Sequence, residues 1–147
     1  MDGVLMDITG ASGAIPRNDF KRMDEHAARY YEEIRHRKTD VAAIAKNTGI
    51  SVDVVESIKQ HIFYMKYDLG EDEDRRFDPS YDMAVSWQRL IDGNNIHEMD
   101  IVMLHHESLE YELMSGGMCY EHAHVVANEQ YNYEAYTSDL DREAGLK

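Results

Sequence analysis

The chain has 147 residues, one cysteine, 43% apolar residues and a formal net charge of −14. That length suits one domain with a real core, and a lone cysteine excludes both an internal disulfide framework and a cysteine-built zinc cluster. No apolar run approaches the roughly 18 residues of a membrane span, and Met1-Asp2-Gly3-Val4 lacks the basic start and apolar core of a secretion signal.

Residues 1–15 carry three glycines and little periodicity, and read as a flexible arm. Pro16 and Asn18 open a helix to about Lys38, with Phe20, Met23, Ala27, Tyr30, Tyr31 and Ile34 at helical spacing. Thr39 or Asp40 caps a short helix over Val41–Lys46, closed by Asn47-Thr48-Gly49, and Ser51 caps the next, expected to run to about Asp68. An acidic loop follows at Gly70–Asp74. Asp78-Pro79 predicts a helix start, an N-cap with proline at the first helical position. Its apolar stripe is Met83, Ala84, Trp87, Leu90 and Ile91, and it stops at Gly93. A fifth helix is expected from Ile96 to Met114 and a sixth from Met118 to Tyr133. The boundaries are an arm over 1–15, a helical domain over 16–135 and a polar tail over 136–147. No strand and no repeat is legible, so the expected fold is an all-α compact bundle of about six helices.

The charge is unevenly placed. Acids and bases balance from Met1 to Lys66, so the whole excess falls between Tyr67 and Lys147. Such a surface repels phosphate backbones and argues against nonspecific nucleic-acid binding there. It suits solubility, a metal ion or a cationic protein partner.

Three groups of residues carry possible chemistry. Ala45, Gly49, Val55 and Ile58 have helix-turn-helix spacing, but the second helix opens Ser51-Val52-Asp53-Val54-Val55-Glu56, with two acids and no arginine to read bases. A structural pair is the simpler reading. On the fifth helix, Met99, Val102, Met103, Leu109, Leu113 and Met114 form a stripe that contains His106 and Glu110 one turn apart, with Glu107 at its edge. A carboxylate on a core-facing stripe is costly unless paired or ligating; a satisfied buried pair and a ligand pair are both open. On the sixth helix His124 borders the small face of Cys119, Ala123, Val126, Ala127 and Gln130. Glu121 and His124 form one Glu-x-x-His pair, without the second that a helical di-iron site requires. His61 lies beside the stripe of Val54, Val55, Ile58, Ile62 and Met65. A mononuclear zinc or other divalent metal site from His106, Glu110 and His124, with His61 nearby, is chemically reasonable. Asp82 and Arg89 share a helix face and suit a salt bridge or a substrate contact.

The strings Asp40–Gly49, Ile58–Phe63, Arg76–Asp82, Ser86–Ile91 and Asp100–Glu107 with Glu110, Ala123-His124 and Tyr131–Tyr133 resemble a domain at the C-termini of phage head-morphogenesis (minor head) proteins and bacterial polymorphic toxins. The likeness covers about residues 16–133. It departs at Tyr64–Tyr67, where a second histidine often follows, and at His105, where a lysine often stands. The resemblance implies a phage-associated or toxin-like module and points to His61, Trp87, Arg89, His106, Glu107, Glu110 and His124. From the ionisable groups on core-facing stripes, strengthened by these motifs, we expect a hydrolase of unknown substrate in which His106, Glu107, Glu110 and His124 are catalytic, as metal ligands or acid–base groups, and His61, Trp87 and Arg89 contact substrate. A non-enzymatic interaction module with a buried polar network and a helix-turn-helix nucleic-acid binder are the alternatives. A free-standing chain is expected in the cytoplasm; a piece of a longer protein, in a phage particle or secreted.

Overall fold

A computed structural model describes residues 15–145; apart from Ile15, the expected arm lies outside them. The described residues are all-α, with no strand longer than one isolated bridge. None of their helices is long and apolar enough to cross a membrane.

α1 (Phe20–His36) starts where the Asp19 carboxylate accepts the Arg22 N–H, and it buries Met23, His26, Ala27, Tyr30, Tyr31 and Ile34. α2 (Asp40–Thr48) ends at Gly49, whose φ of 79° only glycine adopts without strain. α3 (Val52–Lys59), capped by Ser51, runs into a π-helical turn over Gln60–Tyr64. The expected helix to Asp68 therefore stops early, and this turn carries His61. This wide turn ends the helix, with Met65 already extended. The loop after it is clasped where Tyr67 and Arg75 exchange backbone hydrogen bonds of 2.9 Å.

α4 (Tyr81–Asp92) begins later than Asp78-Pro79 predicts. Ser80 is the cap, accepting the Met83 N–H, and Asp78 is instead drawn into an ion pair with Arg75. α5 (Glu98–Ser115) is the longest helix and packs on α3, α4 and, most extensively, α6 (Tyr120–Gln130). The expected polar tail is a correction. The sixth helix ends at Gln130, Asn132 caps a new start by accepting the Ala135 N–H at 2.9 Å, and α7 (Tyr133–Glu143) covers α5.

The core joins α1 to α5 around Trp87, Tyr30, Tyr31, Ile34, Ile44, Ile58, Phe63, Leu90, Met103 and Leu104, with Tyr133 of α7 packed in. Phe63 meets Tyr31 and Trp87 edge-on, with centroids 4.6 and 5.2 Å apart. Through this core run charged ties. Asp40 accepts the Lys59 ammonium at 2.9 Å and the Trp87 indole N–H at 3.1 Å, pinning α2, α3 and α4 together. Lys59 also donates to the Arg37 carbonyl at 2.8 Å, so this buried cation has both a counter-charge and a second hydrogen bond.

Candidate functional site

The site is assembled by α5. His106 and Glu110 lie one turn apart on its inner face, as expected, but the buried face is turned toward Asp100, Leu104 and Glu107 rather than Val102 and Leu109. Glu107 is thus inside, not at an edge. The π turn after α3 brings His61 to the same place, and α6 brings His124. Three imidazoles from three segments converge on the Glu110 carboxylate. His61 Nε2 lies 2.7 Å from Oε1; His124 Nδ1 and His106 Nε2 lie 2.9 and 3.3 Å from Oε2.

Each ring is held from outside this cluster. His61 Nδ1 meets the Tyr67 hydroxyl at 2.7 Å, with Phe77 and Tyr111 against the ring. His106 Nδ1 faces the Tyr131 carbonyl at 3.0 Å. A carbonyl only accepts, so Nδ1 carries a proton, and Nε2 faces the oxygens of Glu107 and Glu110. His124 stacks on Tyr120, and its Nε2 lies 3.4 Å from Asn128 Nδ2 and 3.5 Å from Glu134. Outer partners of this type orient metal-ligating histidines.

The two buried glutamates are driven apart electrostatically. Burial pushes Glu110 up, yet hydrogen bonds from His106, His124 and His61 outweigh it and hold this carboxyl well below its usual range. Burial, then the charge of Glu110, lifts Glu107 well above that range. Glu107 makes no hydrogen bond among the described residues; its oxygens stand 3.6 Å from His61 Nε2 and 3.6 Å from His106 Nε2. The hydrogen bond to Glu110 raises His124, against desolvation. Burial pushes the Tyr67 phenol up to about 12, which keeps its proton in place.

His106, Glu107, Glu110 and His124 line a cavity of about 420 Å³, walled by residues that include Phe77, Tyr120 and Tyr133, with Arg75, Asp78, Asp82 and Glu134 also bordering it. The donor atoms of His106, Glu110 and His124 lie within 4.8 Å of one another, as do those of His61, Glu107 and Glu110. Histidine and carboxylate donors at this spacing suit zinc or another first-row divalent ion.

Other sequence-predicted residues sit elsewhere. Trp87 is wholly buried in the core and does not line the cavity. Arg89 borders a separate cavity of about 310 Å³ and grips Asp100 with two hydrogen bonds of 2.9 and 2.7 Å. The anticipated Asp82–Arg89 bridge is a correction, because Asp82 is taken by Arg17 at 2.7 and 3.1 Å. Glu121 is exposed, and His124 is paired to Glu110 across helices rather than to Glu121 along its own. The second helix of the helix-turn-helix-like pair exposes Val52, Asp53, Val54 and Glu56, while its lysine, Lys59, is buried. Sequence reasoning missed Tyr67, Glu134 and the Tyr131 carbonyl, which reach the histidines across loops or between helices, where periodicity carries no information; it also missed Asn128, one turn from His124 on the same helix, which helical spacing could have found. No protein-family model, curated protein or solved structure matches the chain.

Proposed function

We propose that the chain is a phage-associated or toxin-like hydrolytic domain whose His106, Glu110 and His124 hold a divalent metal ion at the floor of the cavity. The observation that carries this reading is the convergence of three imidazoles on one buried carboxylate beside a space large enough for a small substrate or a substrate side chain. Three protein ligands leave a position for water, and a zinc-class ion brings the pKa of that water to about 7. Glu107, the buried carboxyl without a hydrogen bond, stands beside it as proton acceptor when a single ion is bound. His61 steadies Glu110 from the far side. The acidic excess of the C-terminal part favours cations over phosphate polymers at this surface.

The test is loading metal-free protein with zinc, then assaying ester, amide and phosphodiester probes and growth inhibition on expression. Wild type is expected to gain zinc-dependent hydrolysis that His106→Ala and His124→Ala lack. Full activity in both variants, with unchanged folding, would remove this reading. One observation favours a second one, a non-enzymatic interaction module: the imidazoles of His61, His106 and His124 by themselves surround and satisfy the Glu110 carboxylate. That reading expects the same variants to lose stability and nothing else.

A further inference from the structure

The same residues present donors to more than one ion. Glu110 turns Oε1 to His61 Nε2 at 2.7 Å and Oε2 to His106 Nε2 at 3.3 Å. Glu107 repeats the pattern, with Oε1 at 3.6 Å from His61 Nε2 and Oε2 at 3.6 Å from His106 Nε2. Two carboxylates therefore span the same two imidazoles, each with one oxygen on either side. A tetrahedral ion with bonds of ~2.0–2.1 Å separates its ligand atoms by ~3.3 Å, which is close to three of these four distances and longer than a good N–H···O hydrogen bond.

A second observation points the same way. Glu107 is only 7% exposed and makes no hydrogen bond among the described residues, although it faces two imidazole nitrogens. The proton that His61 Nε2 can offer is directed at Glu110, the nearer acceptor. Glu107 borders the cavity with its carboxyl aimed between two imidazoles and bonded to neither, so its oxygens are free to ligate.

We propose that the pocket floor is a carboxylate-bridged two-ion centre. In it His61 serves one divalent ion, His106 and His124 serve the other, and Glu107 and Glu110 bridge both. This rests on the metal-dependent reading above and extends it. With two ions bound, Glu107 would be a ligand, and a water between the cations would lose its proton to solvent in the cavity, leaving a hydroxide. Two divalent ions exceed the two carboxylate charges, so the centre also binds a hydroxide or an anionic substrate oxygen. Bridging at this range places the ions ~3.5–4 Å apart, the spacing that clamps both the attacking and leaving oxygens of a displacement.

The experiment is equilibrium dialysis of the metal-free full chain against Mn²⁺ and, separately, Zn²⁺, with elemental analysis and electron paramagnetic resonance of the manganese form. Two ions per chain with a spin-coupled manganese spectrum are expected. Glu107→Gln is near-isosteric at a group without hydrogen bonds and is expected to fold, to lose the coupling and to bind a single ion; His61→Gln is expected to do the same. One ion per chain in wild type, unchanged by Glu107→Gln, would overturn the two-ion centre and leave the single-ion reading standing. Two uncoupled ions would overturn the bridge. No tightly held ion would overturn both readings.

Discussion

Glu107 and Glu110 are one turn apart, both buried and both within reach of His61 and His106, yet neutralising each should have opposite effects in metal-free protein. Glu110 is ionised and accepts from three imidazoles. In Glu110→Gln the carboxamide keeps one acceptor oxygen and turns an NH₂ toward the remaining rings. Losing two charge-assisted hydrogen bonds at ~1.5–3 kcal/mol each gives ~3–6 kcal/mol, which overlaps the ~3–5 kcal/mol cost of breaking a buried ion pair. At ~2–4 °C per kcal/mol for a domain of this size, Tm falls by roughly 6–24 °C. The folded carboxyl lies below its ordinary value of 4.5, so its contribution is present above that pH and is lost as pH falls below it. Glu107 has the reverse sign. Its folded value lies well above 4.5, so the unfolded chain releases the proton first, and stability is lost as pH rises from about 4.5 through the raised folded value. Glu107→Gln removes that loss and should leave metal-free stability at pH 7 unchanged or higher. Urea unfolding in EDTA, followed by circular dichroism, measures both. Equal losses, or a larger loss for Glu107→Gln, would refute the electrostatic assignment.

Acid sensitivity should also arise at His26. Burial, and then the charge of Arg29, lower this imidazole to about 4, and neither ring nitrogen has a hydrogen-bond partner among the described residues. Its ordinary value is 6.5, so stability is retained above pH 6.5 and lost as pH falls toward 4, by up to ~3 kcal/mol at 1.36 kcal/mol per pKa unit. His26→Phe should flatten unfolding free energy between pH 7 and 4.5; a slope parallel to wild type would count against the assignment. Trp87→Ala should cost ~3–5 kcal/mol through the cavity it leaves, while zinc affinity of the folded fraction stays at the wild-type value in calorimetry. Arg89 and Asp100, gripping each other with two hydrogen bonds, should show a coupling of at least ~1 kcal/mol in a double-mutant cycle; additivity would show the pair to be energetically idle.

Helical periodicity was enough to expect an all-α bundle and to turn His106 and Glu110 inward, because both features are local. The Gly49 and Gly93 stops are likewise local, each closing its helix in the left-handed conformation. What periodicity could not supply was long-range pairing. Asp82 and Arg89 share a face, but Arg17 and Asp100 reach them first. The resemblance pointed to Trp87 as a substrate contact, yet its indole completes the Asp40–Lys59 tie in the core. Tyr133 was read as the end of a helix, whereas Asn132 caps the start of another. The π turn at His61 looks like continuous helix in sequence, since Gln60–Tyr64 contains neither glycine nor proline. Yet that turn sets His61 beside Glu110.

The central claim is that Glu110 and its histidines form an ion site and are not only a hydrogen-bonded network. A crystal of untagged protein soaked in zinc, with diffraction recorded at the zinc absorption edge, tests this most directly. Anomalous density is expected among His106, Glu110 and His124, with ligand distances of ~2.0–2.2 Å. An edge map without density there, with the three imidazoles still hydrogen-bonded to Glu110, would contradict it.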